Sequence, residues 1–107
     1  MIKNLHDGVN SLHEIISVHK NQVVSKALVD SDNTDIRLFS LYKGEVITNE
    51  IYPMDTMIVC LEGKMEVVIE GKPHTLSQND MIRIEVGRDS SLKSLDDSII
   101  LQIMVKD

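Results

Sequence analysis

The sequence predicts an all-β protein, a sandwich or barrel of some eight short strands. Two observations carry this. Three apolar runs, Met57–Leu61, Met65–Ile69 and Met81–Ile84, are rich in Ile, Val and Met, as strands packed on a shared core are. The segments between them are short and hold turn residues: Glu62-Gly63-Lys64 and Glu70-Gly71-Lys72 each offer a glycine where a tight turn asks for positive φ. Nothing repeats at the longer periods of solenoids, and no linker or low-complexity stretch divides the chain.

Taken in order, the chain opens with a helical pattern. Leu5, Val9, Leu12 and Ile16 recur at the spacing of one helix face, so a short helix is expected over this stretch, with Gly8 weakening it. Gln22 to Val29 is the first strand, and Asp30-Ser31-Asp32-Asn33 breaks it with four turn formers. Thr34 to Tyr42 alternates Ile36, Leu38, Ser40 and Tyr42 against Arg37, Phe39 and Leu41, a strand with apolar residues on both sides. Glu45 to Tyr52 is a short strand ended by the Pro53-Met54-Asp55 turn, since proline presets φ and has no amide to donate. After the central runs come a short bridging strand at His74-Thr75-Leu76, a turn at Gln78-Asn79-Asp80, a modest strand at Ser91–Leu95 and a strong apolar strand from Ile99 to Val105. Residues 1–20 are therefore expected to form a helical extension and residues 21–107 the β domain.

Composition sets the broad class. A chain of 107 residues is long enough to bury a core without staples. The formal net charge of −6 leaves no basic face for nucleic-acid phosphates. Cys60 stands alone, so it has no partner for an internal disulfide, and its apolar run suits a buried free thiol. With no signal-peptide core and no apolar run of the roughly 20 residues that span a bilayer, the expected location is cytoplasmic, away from membranes.

The central stretch resembles the cupin family. Cys60-Leu61-Glu62-Gly63-Lys64, Ile69, Gly71, Leu76, Asn79-Asp80 and Ile84-Glu85 fall at the spacing of the family's barrel signature, and the likeness runs from about Val23 to Val105. The resemblance implies a small jelly-roll barrel, where periodicity alone leaves the immunoglobulin-like sandwich and the OB barrel open. Cupin enzymes usually hold a divalent metal with two histidines and a glutamate in a first motif and one histidine in a second. Here Thr56 falls at the glutamate, Glu50 and Tyr52 (or Asn49 and Ile51) at the histidine pair, and Ser90 at the last histidine. Asn79 and Glu85 replace a glycine and a proline of the second motif, and Gly87 is kept. Two carboxylates, Glu50 and Asp55, without an imidazole make a weak transition-metal set, so no metal or other cofactor is expected. His74 falls in the barrel region beside Pro73, and His6 and His13 in the first stretch; all three are expected at the surface.

The polar residues expected near the barrel mouth are Glu50, Tyr52, Thr56, Arg83, Glu85 and Ser90. Glu50, Tyr52, Thr56, Arg83 and Ser90 are the candidate ligand contacts. Two functions from different classes follow. The first is a metal-free, non-catalytic barrel that binds a small molecule or serves as an accessory domain. The second is a metal-independent isomerase, epimerase or lyase on a small sugar or acid, with Tyr52 as acid beside Glu50 or Glu85, the role a His/Asp pair and a Tyr play in metal-free relatives of the family. No nucleotide-binding glycine motif, CxxC, GxSxG or HExxH occurs. The two-sided apolar strands 22–29 and 34–42 exceed what the four apolar residues of the first helix can cover, so a homodimer centred on residues 22–42 is expected.

Overall fold

In the computed structural model, residues 1–106 are described, except for the side chain of Asn49. After a one-turn helix α1 (Leu12–Ile15), nine strands follow. They are β1 (Val23–Asp30), β2 (Thr34–Leu41), β3 (Val46–Ile51), β4 (Asp55–Glu62), β5 (Lys64–Ile69), β6 (Lys72–Ser77), β7 (Met81–Ile84), β8 (Asp89–Ser94) and β9 (Ser98–Val105). They form two antiparallel sheets, one in the order β1-β2-β9-β4-β7 and the other β3-β8-β5-β6. The inner faces of the two sheets enclose one core of Leu41, Tyr52, Ile58, Cys60, Met65, Val67, Leu76, Ile84, Leu92 and Ile100. Among the described residues no helix is long and apolar enough to cross a membrane.

The alternation read from the sequence is what orients the strands. In β4, Thr56, Ile58 and Cys60 are buried toward the core while Met57 and Val59 on the other face are half-buried. Cys60 is a buried free thiol; its Sγ donates to the Glu62 carbonyl at 3.4 Å, and burial pushes the thiol pKa up. β6 extends on both sides of the expected His74–Leu76 and contains Pro73, which is tolerated because β6 is an edge strand. β8 spans Asp89–Ser94, two residues earlier at its start than expected.

The expected helix over Leu5 to Ile16 shrinks to four residues. Asn4 and Gly8 sit at φ +62° and +96°, values that no helix continues through. The Asn10 side chain accepts the His6 amide proton and donates to the His6 carbonyl, offering the backbone a local alternative to a helical ladder. Leu5 and Val9 consequently stay exposed. The segment instead runs as an irregular strap over the outer face of the larger sheet. The Lys3 amide donates to the Leu28 carbonyl at 2.8 Å, Ile2 bridges Val29, and Ile16, only 3% exposed, packs in one cluster with Leu38 and Ile99. Leu12, Ile15 and Val18 flank it against Val24, Leu28, Leu61 and Leu101. Burying Ile16 fully is worth about 1.5–3 kcal/mol.

The β4–β5 turn is held against the loop before β9. The Lys64 amide donates to Ser98 Oγ at 3.0 Å, and that hydroxyl donates in turn to the Asp96 carbonyl at 2.7 Å. Gly63 lies in this contact at φ +84°, where an added Cβ would stand 2.8 Å from Ser98 Cα and closer still to the Asp97 carbonyl oxygen. Gly71 in the next turn has φ +79° and open space around it. Gly63→Ala should therefore cost more than about 3 kcal/mol in urea unfolding, from overpacking against backbone added to the φ strain, whereas Gly71→Ala should cost only about 1–2 kcal/mol. Equal losses at the two turns would contradict this account.

Candidate functional site

A cleft of about 340 Å³ opens where the β1–β2 side of the larger sheet meets β3 of the smaller one. Its polar lining is Ser25, Arg37, Glu50, Tyr52 and Gln102, and its apolar walls include Phe39, Ile47 and Met104. The strand register explains why these residues meet. Arg37 lies directly across from Gln102 in the β2–β9 pair, and Ser25 across from Phe39 in β1–β2, so all four occupy the inner face of one sheet. On the opposite sheet, the β3–β8 register shifts between Ile47, which pairs with Leu92, and Glu50, which pairs with Ser90. The irregularity brings Ile47 and Glu50, an odd number of residues apart, onto the same inner face, which an unbroken strand would not allow.

Tyr52, just past the end of β3, is 6% exposed and belongs to the core cluster. Burial, helped by the negative charge of Glu50, pushes its phenol up to about 12. The Arg37 guanidinium donates from Nε to Asp35 Oδ1 at 2.9 Å and from Nη2 to Oδ2 at 3.3 Å, a two-point pair that raises the Arg37 pKa further. Gln102 is 5% exposed, and its amide makes no hydrogen bond with any described residue.

Of the residues expected at the mouth, Glu50 and Tyr52 line this cleft. Thr56 and Ser90 are buried beside it with their hydroxyls committed, Thr56 Oγ1 donating to the Met54 carbonyl at 3.0 Å and Ser90 Oγ to the Glu50 carbonyl at 3.3 Å. Arg83 lies elsewhere, on the outer face of β7, its Nη2 3.7 Å from Asp55 Oδ2. Glu85 follows β7, paired with Arg88 at 3.7 Å, in a surface depression shared with Lys72, His74 and Arg83. His13 is exposed and paired with Glu62. Arg37 and Gln102 are the additions that the sequence reading did not single out. A lone glutamine inside the apolar run of β9, and an arginine on the same side of β2 as Phe39 and Leu41, are the signal that could have found them.

The positions that hold metal in cupin enzymes present one carboxylate, one neutral phenol and two hydroxyls already used internally. Among the described residues no three His, Cys, Asp or Glu side chains gather. This donor set does not fit a divalent transition metal, which wants imidazoles and carboxylates free to turn toward it.

The chain shares its fold with known proteins along its whole length. A cupin superfamily protein from Desulfitobacterium hafniense is 29% identical, with a TM-score of 0.93 over 100% of this chain and 99% of that one. A conserved protein of unknown function from Streptococcus pyogenes is 27% identical, with a TM-score of 0.93 over 99% of this chain and 94% of that one. A cupin 2 conserved barrel domain protein from Leptotrichia buccalis shows the same fold at 24% identity and a TM-score of 0.85, over 89% of this chain and 46% of the other. No family model and no curated protein matches the sequence. The two sheets, their turns and these likenesses give the chain the cupin fold, similar over its whole length to a cupin superfamily protein, with Glu50, Tyr52, Thr56 and Ser90 at the positions where cupin enzymes usually hold metal.

Proposed function

We propose that the protein is a metal-free cupin that binds a small molecule in the cleft between its sheets and carries out no chemistry on it, as a binding or accessory domain. The observation that carries this reading is the cleft itself: several polar side chains converge on an apolar-walled opening of ligand size, at the mouth of a barrel. Acid–base work needs a group that titrates near neutrality, and among the described residues no histidine lines the cleft. Tyr52, the candidate acid, holds its proton until about pH 12. The reading as an isomerase, epimerase or lyase therefore gains no support from the groups that face the cleft.

Protein-observed NMR with a fragment library, run on the full chain, tests the proposal. Hits should perturb Phe39, Tyr52, Gln102 and Met104 together. A library whose hits gather elsewhere, or that yields none, defeats it.

The state of Tyr52 has a separate consequence. Its folded pKa lies above the ordinary value of 10.0, so Tyr52 adds no pH dependence while both folded and unfolded chains keep the phenol neutral. Above pH 10 the unfolded chain ionises first, and stability should fall between about pH 10 and 12. Urea titrations across that range should show the loss in the native sequence and a smaller one in Tyr52→Phe; an equal slope in both would rule the assignment out.

We also propose a homodimer. The strap covers Leu38 and part of Val24 and Leu28, but the outer face of the larger sheet continues past it through half-buried Ile36, Met57 and Ile103 to Val105, which is 46% exposed. A two-fold partner laid along this strip beside β1 and β2 would cover it. Sedimentation equilibrium at micromolar concentration should give about twice the 12.1 kDa chain mass. A clean monomer would show that the strap is cover enough.

A further inference from the structure

The chemistry of the cleft also narrows what it takes. We infer that Gln102 is the recognition residue of the site and that the ligand is a neutral polyhydroxyl compound of monosaccharide type, not a sugar acid. This rests on the binding reading given above and specifies the class of ligand.

Gln102 is the starting point. It sits mid-strand in β9 between Leu101 and Ile103, directly across from Arg37 on one side and from Ile58 on the other. Its amide can donate twice and accept twice; the side chain is only 5% exposed, its amide is open to the cleft, and no described residue hydrogen-bonds it. A polar group whose one exposure is a cleft is free to exchange water there for the hydroxyls of a ligand. Packing alone would favour leucine or isoleucine here, as at the neighbouring positions.

Charge then decides the class. Among the described residues Arg37 is the only cation lining the cleft, and two of its N–H groups are already given to the Asp35 carboxylate, so the pair is close to neutral. Glu50 adds a carboxylate with no cationic partner among the described residues. The lining alone sums to zero, but with Asp35 behind Arg37 the site carries one net negative charge, on a protein of net charge −6, and an anionic ligand would have to compete with Asp35 for Arg37 while facing Glu50. What remains is a mixture of donors and acceptors. Gln102 and the protonated Tyr52 hydroxyl serve as both, the spare Arg37 N–H groups donate, and Glu50 accepts. Hydroxyl groups, each donor and acceptor at once, match such a mixture, and the C–H faces of a sugar ring match Phe39 and Met104.

The test is isothermal titration at pH 7 and low salt, with three matched arms: neutral hexoses (glucose, galactose, mannose), their uronic acids, and the corresponding 2-amino sugars. A neutral hexose should bind at least tenfold more tightly than its acid and its amino counterpart. Gln102→Leu, close in volume, should weaken that hexose tenfold or more while leaving thermal unfolding near the native midpoint. Glu50→Gln, a second and independent variant, should bring the uronic acid to within about threefold of the hexose. A uronic acid or amino sugar that binds as well as the hexose overturns the inference, as does an affinity unchanged by Gln102→Leu. Silence from all three arms overturns it too. If fragments still dock beside Gln102 when the sugars fail, the ligand class alone is wrong; if neither docks there, the binding reading falls with it.

Discussion

The pairing of β9 on both of its sides governs the architecture. This strand lies at the centre of the larger sheet, hydrogen-bonded along its length to β2 on one edge and β4 on the other. It supplies both layers of packing at once: Ile100 faces the barrel interior, and Ile99 faces outward against the strap. It also brings Gln102 and Met104 to the cleft. Its partners lie some sixty residues upstream and some forty upstream, so both pairings close long loops whose entropy must be met before the contacts stabilise anything. A slip of one residue in either register would exchange Gln102 for Ile103 in the cleft and turn every apolar side chain of the strand to the wrong layer.

The strands were legible because period-two alternation and turn chemistry are local properties. Met57–Leu61 and Met65–Ile69 with their glycine turns say strand without any knowledge of partners. The helix over Leu5 to Ile16 misled because its apolar spacing was genuine, while the side chain of Asn10 and the positive φ at Gly8 act on the backbone and leave no mark on periodicity. The site was half legible. Glu50 and Tyr52 could be placed by counting along a motif, but Arg37 and Gln102 meet them only through sheet register and through the β3 irregularity, which depend on pairings between strands far apart in sequence. Arg83 lay on the right strand for the mouth by counting, and the alternation of β7 turned it outward.

The replacement of metal ligands also changes what the barrel interior can be. An imidazole cage needs room for an ion and its water. Tyr52 instead belongs to the buried core cluster, and Thr56 and Ser90 close their hydroxyls onto neighbouring carbonyls, so three of the four positions are committed to the fold. Glu50 and Tyr52 still line the opening, so a few side chains set the chemistry of the mouth on a fold that hosts many.

The strap over the outer face is held by a small balance. Its anchor, Ile16, is opposed by Ser40, whose hydroxyl is buried between Val24 and Ile99 on the same face and has no partner among the described residues. An unmet buried hydroxyl costs about 1–3 kcal/mol, similar to what one buried isoleucine returns, and lifting the strap would let water reach it. An irregular segment held in this way is of the kind that opens locally, below the free energy of global unfolding. In amide hydrogen exchange the Lys3 proton bonded to Leu28 would be lost early, while protons in the β2–β9 ladder persist. Lifting the strap would bare both the Leu38–Ile99 patch and the edge of β1 while leaving the barrel intact, the kind of surface that pairs with another chain.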